Sequence, residues 1–119
     1  MSPPVSAAAK GASLRQTAPV FAALGDETRL RLISSLCAGR PRSIAELTAE
    51  TDLSRQAVTK HLRVLRKAGL AHDTKSGRQR LWVFESARLD KARRSLDLIA
   101  EQWDQAQGRL KSLGEDESS

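Results

Sequence analysis

Ser43 and Ser54 each open a stretch that reads as a capped helix, and only the tight turn Thr51-Asp52-Leu53 separates the two. The first helix starts with Ser43 and Glu46 in capping-box spacing. Ile44, Ala45 and Leu47 supply its inner side, and it ends near Thr51. The second, SRQAVTKHLRVLRKAG, is capped by Ser54 and terminated by Gly69. At ~100° per residue its apolar positions Ala57, Val58, His61, Leu65 and Ala68 cluster on one side, with Leu62 flanking them. Gln56, Thr59, Lys60, Arg63 and Lys67 fall on the other side. Two short helices joined in this way, the second amphipathic with a basic outer face, predict a helix-turn-helix.

The segment that follows, LAHDTKSGRQRLWVFE, carries Ser76-Gly77 at a turn between two strand-like runs, so it predicts a β-hairpin whose tip is flanked by Lys75 and Arg78. Its second strand, Leu81 to Phe84, is apolar enough to be partly covered on both sides, and Trp82 and Phe84 are its anchors to the domain. A hairpin directly after a helix-turn-helix makes the winged form of that motif. The expected fold class is mainly α with a small β-hairpin.

Elsewhere the chain reads as helical. Residues 1–14 are small and Pro-rich without periodic apolar positions and are expected to form a disordered arm. A first helix is predicted over about residues 15 to 24, with Val20, Phe21 and Leu24 as its apolar stripe. Asp26 then caps a second helix in which Leu30, Ile33, Leu36 and Cys37 share a face expected to be buried. From about residue 86 to 113, Leu89, Ala92, Leu96, Ile99, Trp103, Ala106, Leu110 and Leu113 recur at alternating steps of three and four. Such a heptad seam projects beyond what so small a core can cover and needs a partner helix. It predicts a dimer formed through the N- and C-terminal helices, with Leu89 to Leu110 of the seam at the interface. Gly108 weakens its last turns, and residues 114–119 form an acidic tail.

Charge is concentrated in one place. Residues 54 to 84 hold Arg55, Lys60, Arg63, Arg66, Lys67, Lys75, Arg78 and Arg80 against Asp73 alone, a local excess that is larger than the net +6 of the whole chain. A field of this kind suits a polyanion. The major groove of B-DNA admits one α-helix, and polar or forked basic side chains in its first turns can meet base edges. Gln56, Thr59, Lys60 and Arg63 are the candidates for such contacts, with Ser54 and Arg55 near the entry. Lys75, Arg78 and Arg80 of the wing are candidates for neighbouring phosphates or the minor groove.

Other classes fare poorly. A chain of 119 residues fits one domain (here residues 15–113), with no apolar run near the ~18 residues that cross a bilayer and no signal-peptide core. A cytoplasmic protein, nucleoid-associated when bound to DNA and without a membrane partner, is expected. A single cysteine, Cys37, and two histidines, His61 and His72, leave almost no metal ligands. His61 is expected to be a satisfied core histidine and His72 to be exposed. No convergent nucleophile, acid–base pair or phosphate-cradling loop points to an enzyme.

The stretches FAALGDETRLRLISSL, SIAELTAETDLSRQAVTKHLRVLRKAGL and SGRQRLWVF resemble the ArsR family of bacterial winged-helix repressors over roughly residues 18 to 100. The resemblance implies a symmetric homodimer that binds an imperfect palindrome in double-stranded DNA and represses its own operon. It also directs attention to metal sites. Metal-sensing members carry paired cysteines in the helix before the recognition helix, which here reads IAELTAET, and others use Asp and His of the C-terminal helix, where this chain has no histidine. The expectation is therefore a repressor with no metal and no cofactor, from the subgroup lacking those cysteines and histidines. A small-molecule effector stays open as a partner. A nucleoid-type protein binding DNA without an operator and a regulator that activates, or responds to an unidentified ligand, are the alternatives.

Overall fold

A computed structural model describes the backbone of residues 5–117 and the side chains of residues 14–114. The elements run α1 (Val5–Leu24), α2 (Glu27–Leu36), β1 (Arg42–Ser43), α3 (Ile44–Ala49), α4 (Arg55–Lys67), β2 (Ala71–Ser76), β3 (Gln79–Phe84) and α5 (Ala87–Glu117). The three strands form one antiparallel sheet in the order β1-β3-β2. Arg42 pairs with Trp82 on one edge of β3, and Asp73 pairs with Trp82 on the other. Fold class and winged helix-turn-helix layout are as the sequence predicts. The two-residue β1 is an addition, too short to leave a period in the sequence.

The core is aliphatic. Leu32 and Leu36 from α2, Leu47 from α3, and Val58, Leu62 and Leu65 from α4 are buried together with Val20 of α1 and Trp82 of β3. Three caps fix where the helices of this core begin. The Asp26 carboxylate accepts from Arg29 N at 3.0 Å, Ser43 Oγ from Glu46 N at 3.1 Å, and Ser54 Oγ from Ala57 N at 3.1 Å. Glu46 returns the favour to Ser43 N and completes a capping box.

Several expectations need correction. Helix α1 begins at Val5, not near residue 15, so most of the expected N-terminal arm is helical, and residues 1–4 lie outside the described residues. The run from Ser6 to Ser13 is rich in alanine, which favours helix without any apolar stripe to advertise it. At the other end α5 continues to Glu117, past the expected end at Leu113 and into the expected acidic tail, of which residues 118–119 lie outside the description.

In α2 the buried face is Leu32 and Leu36, flanked by Ile33, while Leu30 and Cys37 are exposed. Leu30 and Cys37 are seven residues apart and share a direction, about 100° or more from the Leu32–Leu36 direction. Both stripes include Ile33, and packing against α4 selects the second.

The seam of α5 divides. Leu89 is half-buried against the core and Ala92 is 1% exposed, so these two members of the expected interface belong to the domain's own packing with α1. Leu96, Ile99, Trp103, Leu110 and Leu113 are exposed, Trp103 at 60%. The molecule measures 71 × 38 × 22 Å with a radius of gyration of 20.2 Å, against about 13.5 Å for a compact chain of this length. Much of that excess is α5 extending past the core.

A candidate nucleic-acid interface on α4 and the wing

The outer side of α4 gathers the residues singled out from the sequence. Arg55, Gln56, Thr59, Lys60 and Arg63 line one shallow concavity. All except Thr59, which is half-buried, are exposed. Two hydroxyls here already have structural partners. Ser54 Oγ holds the helix N-terminus, and Thr59 Oγ1 donates to the Arg55 carbonyl at 2.8 Å, so Thr59 meets an incoming group as an acceptor. Among the described residues Arg55, Lys60, Arg63 and Lys67 form no ion pair, which leaves their charge free for an anion.

The inner side of α4 ties the helix to the domain. Val58, Leu62 and Leu65 are fully buried. His61 is only partly buried, not a core residue. Its Nδ1 lies 3.5 Å from Arg29 Nη1 and 4.0 Å from Asp26 Oδ2 at the junction of α2 and α4. Arg29 also reaches α1, with Nε donating to the Ala23 carbonyl at 2.7 Å and Nη2 to the Ala22 carbonyl at 3.3 Å. One guanidinium, held in the first turn of α2, thus caps the C-terminal end of α1, where cations are favoured. The Arg29 backbone N–H bound to Asp26 holds that carboxyl below its usual value.

The wing turns at Gly77-Arg78, since Ser76 pairs with Gln79, and Gly77 takes φ +63°. Lys75 and Arg78 are exposed and, among the described residues, without ion pairs. Arg80 is different. Its Nη1 lies 2.6 Å from Asp73 Oδ2, while Arg66 Nη1 lies 3.2 Å from Asp73 Oδ1. Arg80, bonded to it, and then Arg66 hold the Asp73 carboxyl below its usual range against the opposing effect of burial. Trp82, 3% exposed, roots the hairpin, and the Arg66 guanidinium sits 5.7 Å from the centre of its ring. Phe84 packs on the core beside it. His72 is half-buried, not exposed, with Nδ1 2.5 Å from Glu85 Oε1. The pairing of Asp73 with two arginines was not foreseen. Its signal was the isolation of one acid in a basic segment.

Residues 26–73 match the family described as "Bacterial regulatory protein, arsR family". A solved structure described as an ArsR-like transcriptional regulator from Rhodococcus sp. RHA1 superposes with a TM-score of 0.81 at 34% identity, covering 88% of this chain and 95% of that one. The chain belongs to the ArsR family. This ArsR-family chain is also 34% identical over 73 residues to YuzN of Bacillus subtilis, described as an uncharacterized HTH-type transcriptional regulator. That match covers 56% of this chain and 79% of the relative. A third similar protein, from Mycobacterium bovis, is described as the homodimeric winged helix-turn-helix DNA-binding domain of a possible ArsR-family regulator. It has a TM-score of 0.61 at 25% identity, covering 78% of this chain and 85% of that one.

The family and its fold are those of DNA-binding transcriptional regulators, not enzymes. Among the described residues no three His, Cys, Asp or Glu side chains are grouped to hold a metal ion, and no helix is long and apolar enough to cross a membrane.

Proposed function

We propose that this ArsR-family regulator is a homodimeric repressor of its own operon that binds a pseudo-palindromic operator without a metal site. The observation that carries the reading is the division of α5. Its first turns pack inside the domain, while Leu96, Ile99, Trp103 and Leu110 continue the same seam as exposed side chains. A second copy covers them by symmetry, and the homodimeric state described for the Mycobacterium bovis protein supports that occupant. Ala106, half-buried already, completes the interface.

A two-fold pair presents two copies of α4, and helix-turn-helix dimers read half-sites one turn of DNA, ~34 Å, apart. In this reading Gln56, Thr59, Lys60 and Arg63 meet base edges, Ser54 and Arg55 sit at the phosphate-facing helix start, and Lys75, Arg78 and Arg80 hold the flanking backbone. Footprinting of the purified protein on the DNA upstream of its gene tests the reading. Two protected half-sites related by a dyad, with reporter expression from that promoter rising when the gene is deleted, are expected. Uniform coating without a preferred site supports a nucleoid-type binder instead and overturns the proposal.

A further inference from the structure

Asp73 is the one acidic residue among the eight basic ones between Ser54 and Phe84, and its side chain is only 8% exposed. It is not a solvated surface acid. Each carboxylate oxygen takes a different arginine, Arg66 from the last turn of α4 and Arg80 from β3 of the wing. Both arginine side chains are themselves at least half exposed, so these pairs contribute only modestly to stability. For plain attraction to a polyanion the arrangement is a poor one, because a fixed negative charge on a basic face subtracts from the field and occupies two cations.

What it supplies is direction. Arginine side chains free on their long stems meet phosphates of any duplex, whereas arginines held by a shared carboxylate meet phosphates only where the backbone runs at the right distance from both elements. We infer that Asp73 is a positioning residue for DNA discrimination, clamping the end of the recognition helix to the wing so that the two grip only a backbone path that fits both. The inference rests on the operator-binding reading above.

Binding is measured by fluorescence anisotropy over a potassium chloride series, with the footprinted upstream duplex and with a scrambled duplex of equal composition. Asp73→Asn keeps an acceptor and removes the charge. It is expected to raise affinity for the scrambled duplex ~3- to 10-fold and to steepen the salt dependence there by roughly one to two phosphates' worth of counterions. Affinity for the upstream duplex stays nearly unchanged, so the preference falls ~3- to 10-fold. A purely structural role lowers thermal stability and leaves the salt slope on scrambled DNA where it was, which overturns the clamp.

Arg66→Gln releases the helix end of the clamp without touching Asp73 and keeps the test alive if Asp73→Asn folds poorly. It must also lower the preference, and the double variant must be no worse than Asp73→Asn alone. Additive losses overturn the inference. A wild type that does not distinguish the two duplexes overturns the operator reading itself, while a discriminating wild type matched by Asp73→Asn overturns the clamp alone.

Discussion

Arg88, in the first turns of α5, lies directly across Gly69, so that a Cβ on Gly69 would come within 2.6 Å of Arg88 Nε and 2.7 Å of its Cδ. Gly69 follows Ala68, the C-cap of α4, at φ +79°, and Leu70 N closes the helix end onto the Leu65 carbonyl at 2.9 Å. Glu85 N then donates to the Leu70 carbonyl at 2.9 Å. The end of the recognition helix, the end of the wing and the start of the long helix therefore meet at one point.

Gly69→Ala tests this junction. A left-handed backbone costs an L-residue roughly 1–2 kcal/mol, and the Arg88 side chain must also move aside. Urea unfolding of the variant is expected to show a loss of at least that size. Removing the obstruction with Arg88→Ala should return only the steric part, because the backbone strain is independent of the arginine. A variant as stable as the wild type contradicts the assigned helix end.

Acid should loosen the domain in a predictable window. Asp26, Glu46 and Asp73 all titrate below their ordinary values of 3.8, 4.5 and 3.8 in the folded chain. For Asp26 and Glu46 the leading cause is a bond from the backbone N–H of Arg29 and of Ser43, respectively, and for Asp73 it is the bond from Arg80. A carboxyl whose folded pKa is depressed stabilises fully above its unfolded pKa, and that stabilisation fades as pH falls through the folded one. Melting temperature is thus expected to hold level from about pH 8 to about pH 5 as far as these groups act, and to fall below about pH 4. Asp73→Asn cannot titrate, so the gap between wild type and variant should narrow as the solution is acidified. A gap that stays constant down to about pH 3 rules out the linkage.

Much of this architecture was legible because several signals coincided. In α3 a capping box and its apolar positions agree, and in α4 a capping serine, a helical period and a terminating glycine agree, so Ser43, Ser54, Val58, Leu65 and Gly69 take the places their spacing predicts. Where only one signal was present the reading slipped. In α2 two apolar stripes compete, and the contact with α4 that decides between them is tertiary, so Cys37 emerged on the outside. The alanine run of α1 carries helix propensity but no period. At the interface the charges could be counted along the chain, yet the capture of Arg80 by Asp73 depends on strand register and on the last turn of α4, which no local pattern encodes.

The exposed part of α5 yields a prediction for assembly. Ile99 is 53% exposed and lies between Leu96 and Trp103 along the seam, on the stretch proposed to pair with a second copy. Fully burying an isoleucine contributes about 1.5–3 kcal/mol, and a two-fold interface loses the contact twice. Ile99→Asp adds an unpaired carboxylate to each loss, so dimerisation should weaken by a factor of ~100 or more. Sedimentation equilibrium reads this directly. Ala92→Ser, at a position already closed within the domain, should lower stability and leave the association constant unchanged. If Ile99→Asp self-associates like the wild type, the seam is not the interface.

Readout and anchoring should separate by mutation on the two halves of the binding face. Gln56 stands in the first turn of α4 on the same concavity as Lys60 and Arg63, whereas Arg78 is at the tip of a two-residue turn with no ion pair among the described residues. A side chain that meets a base edge discriminates by about 1–3 kcal/mol, and one that meets a phosphate acts alike on every sequence. Gln56→Ala is therefore expected to weaken binding to the upstream operator ~10-fold or more and leave affinity for scrambled duplex nearly unchanged. Arg78→Ala should weaken both to a similar degree and reduce the slope of log affinity against log salt by about one unit. Thr59→Ala should follow Gln56→Ala, since its hydroxyl hydrogen is already donated to the Arg55 carbonyl and only its acceptor side can meet a base. Uniform losses from all three substitutions would mean that α4 anchors the protein on the backbone just as the wing does, and that sequence preference comes from the shape of the DNA.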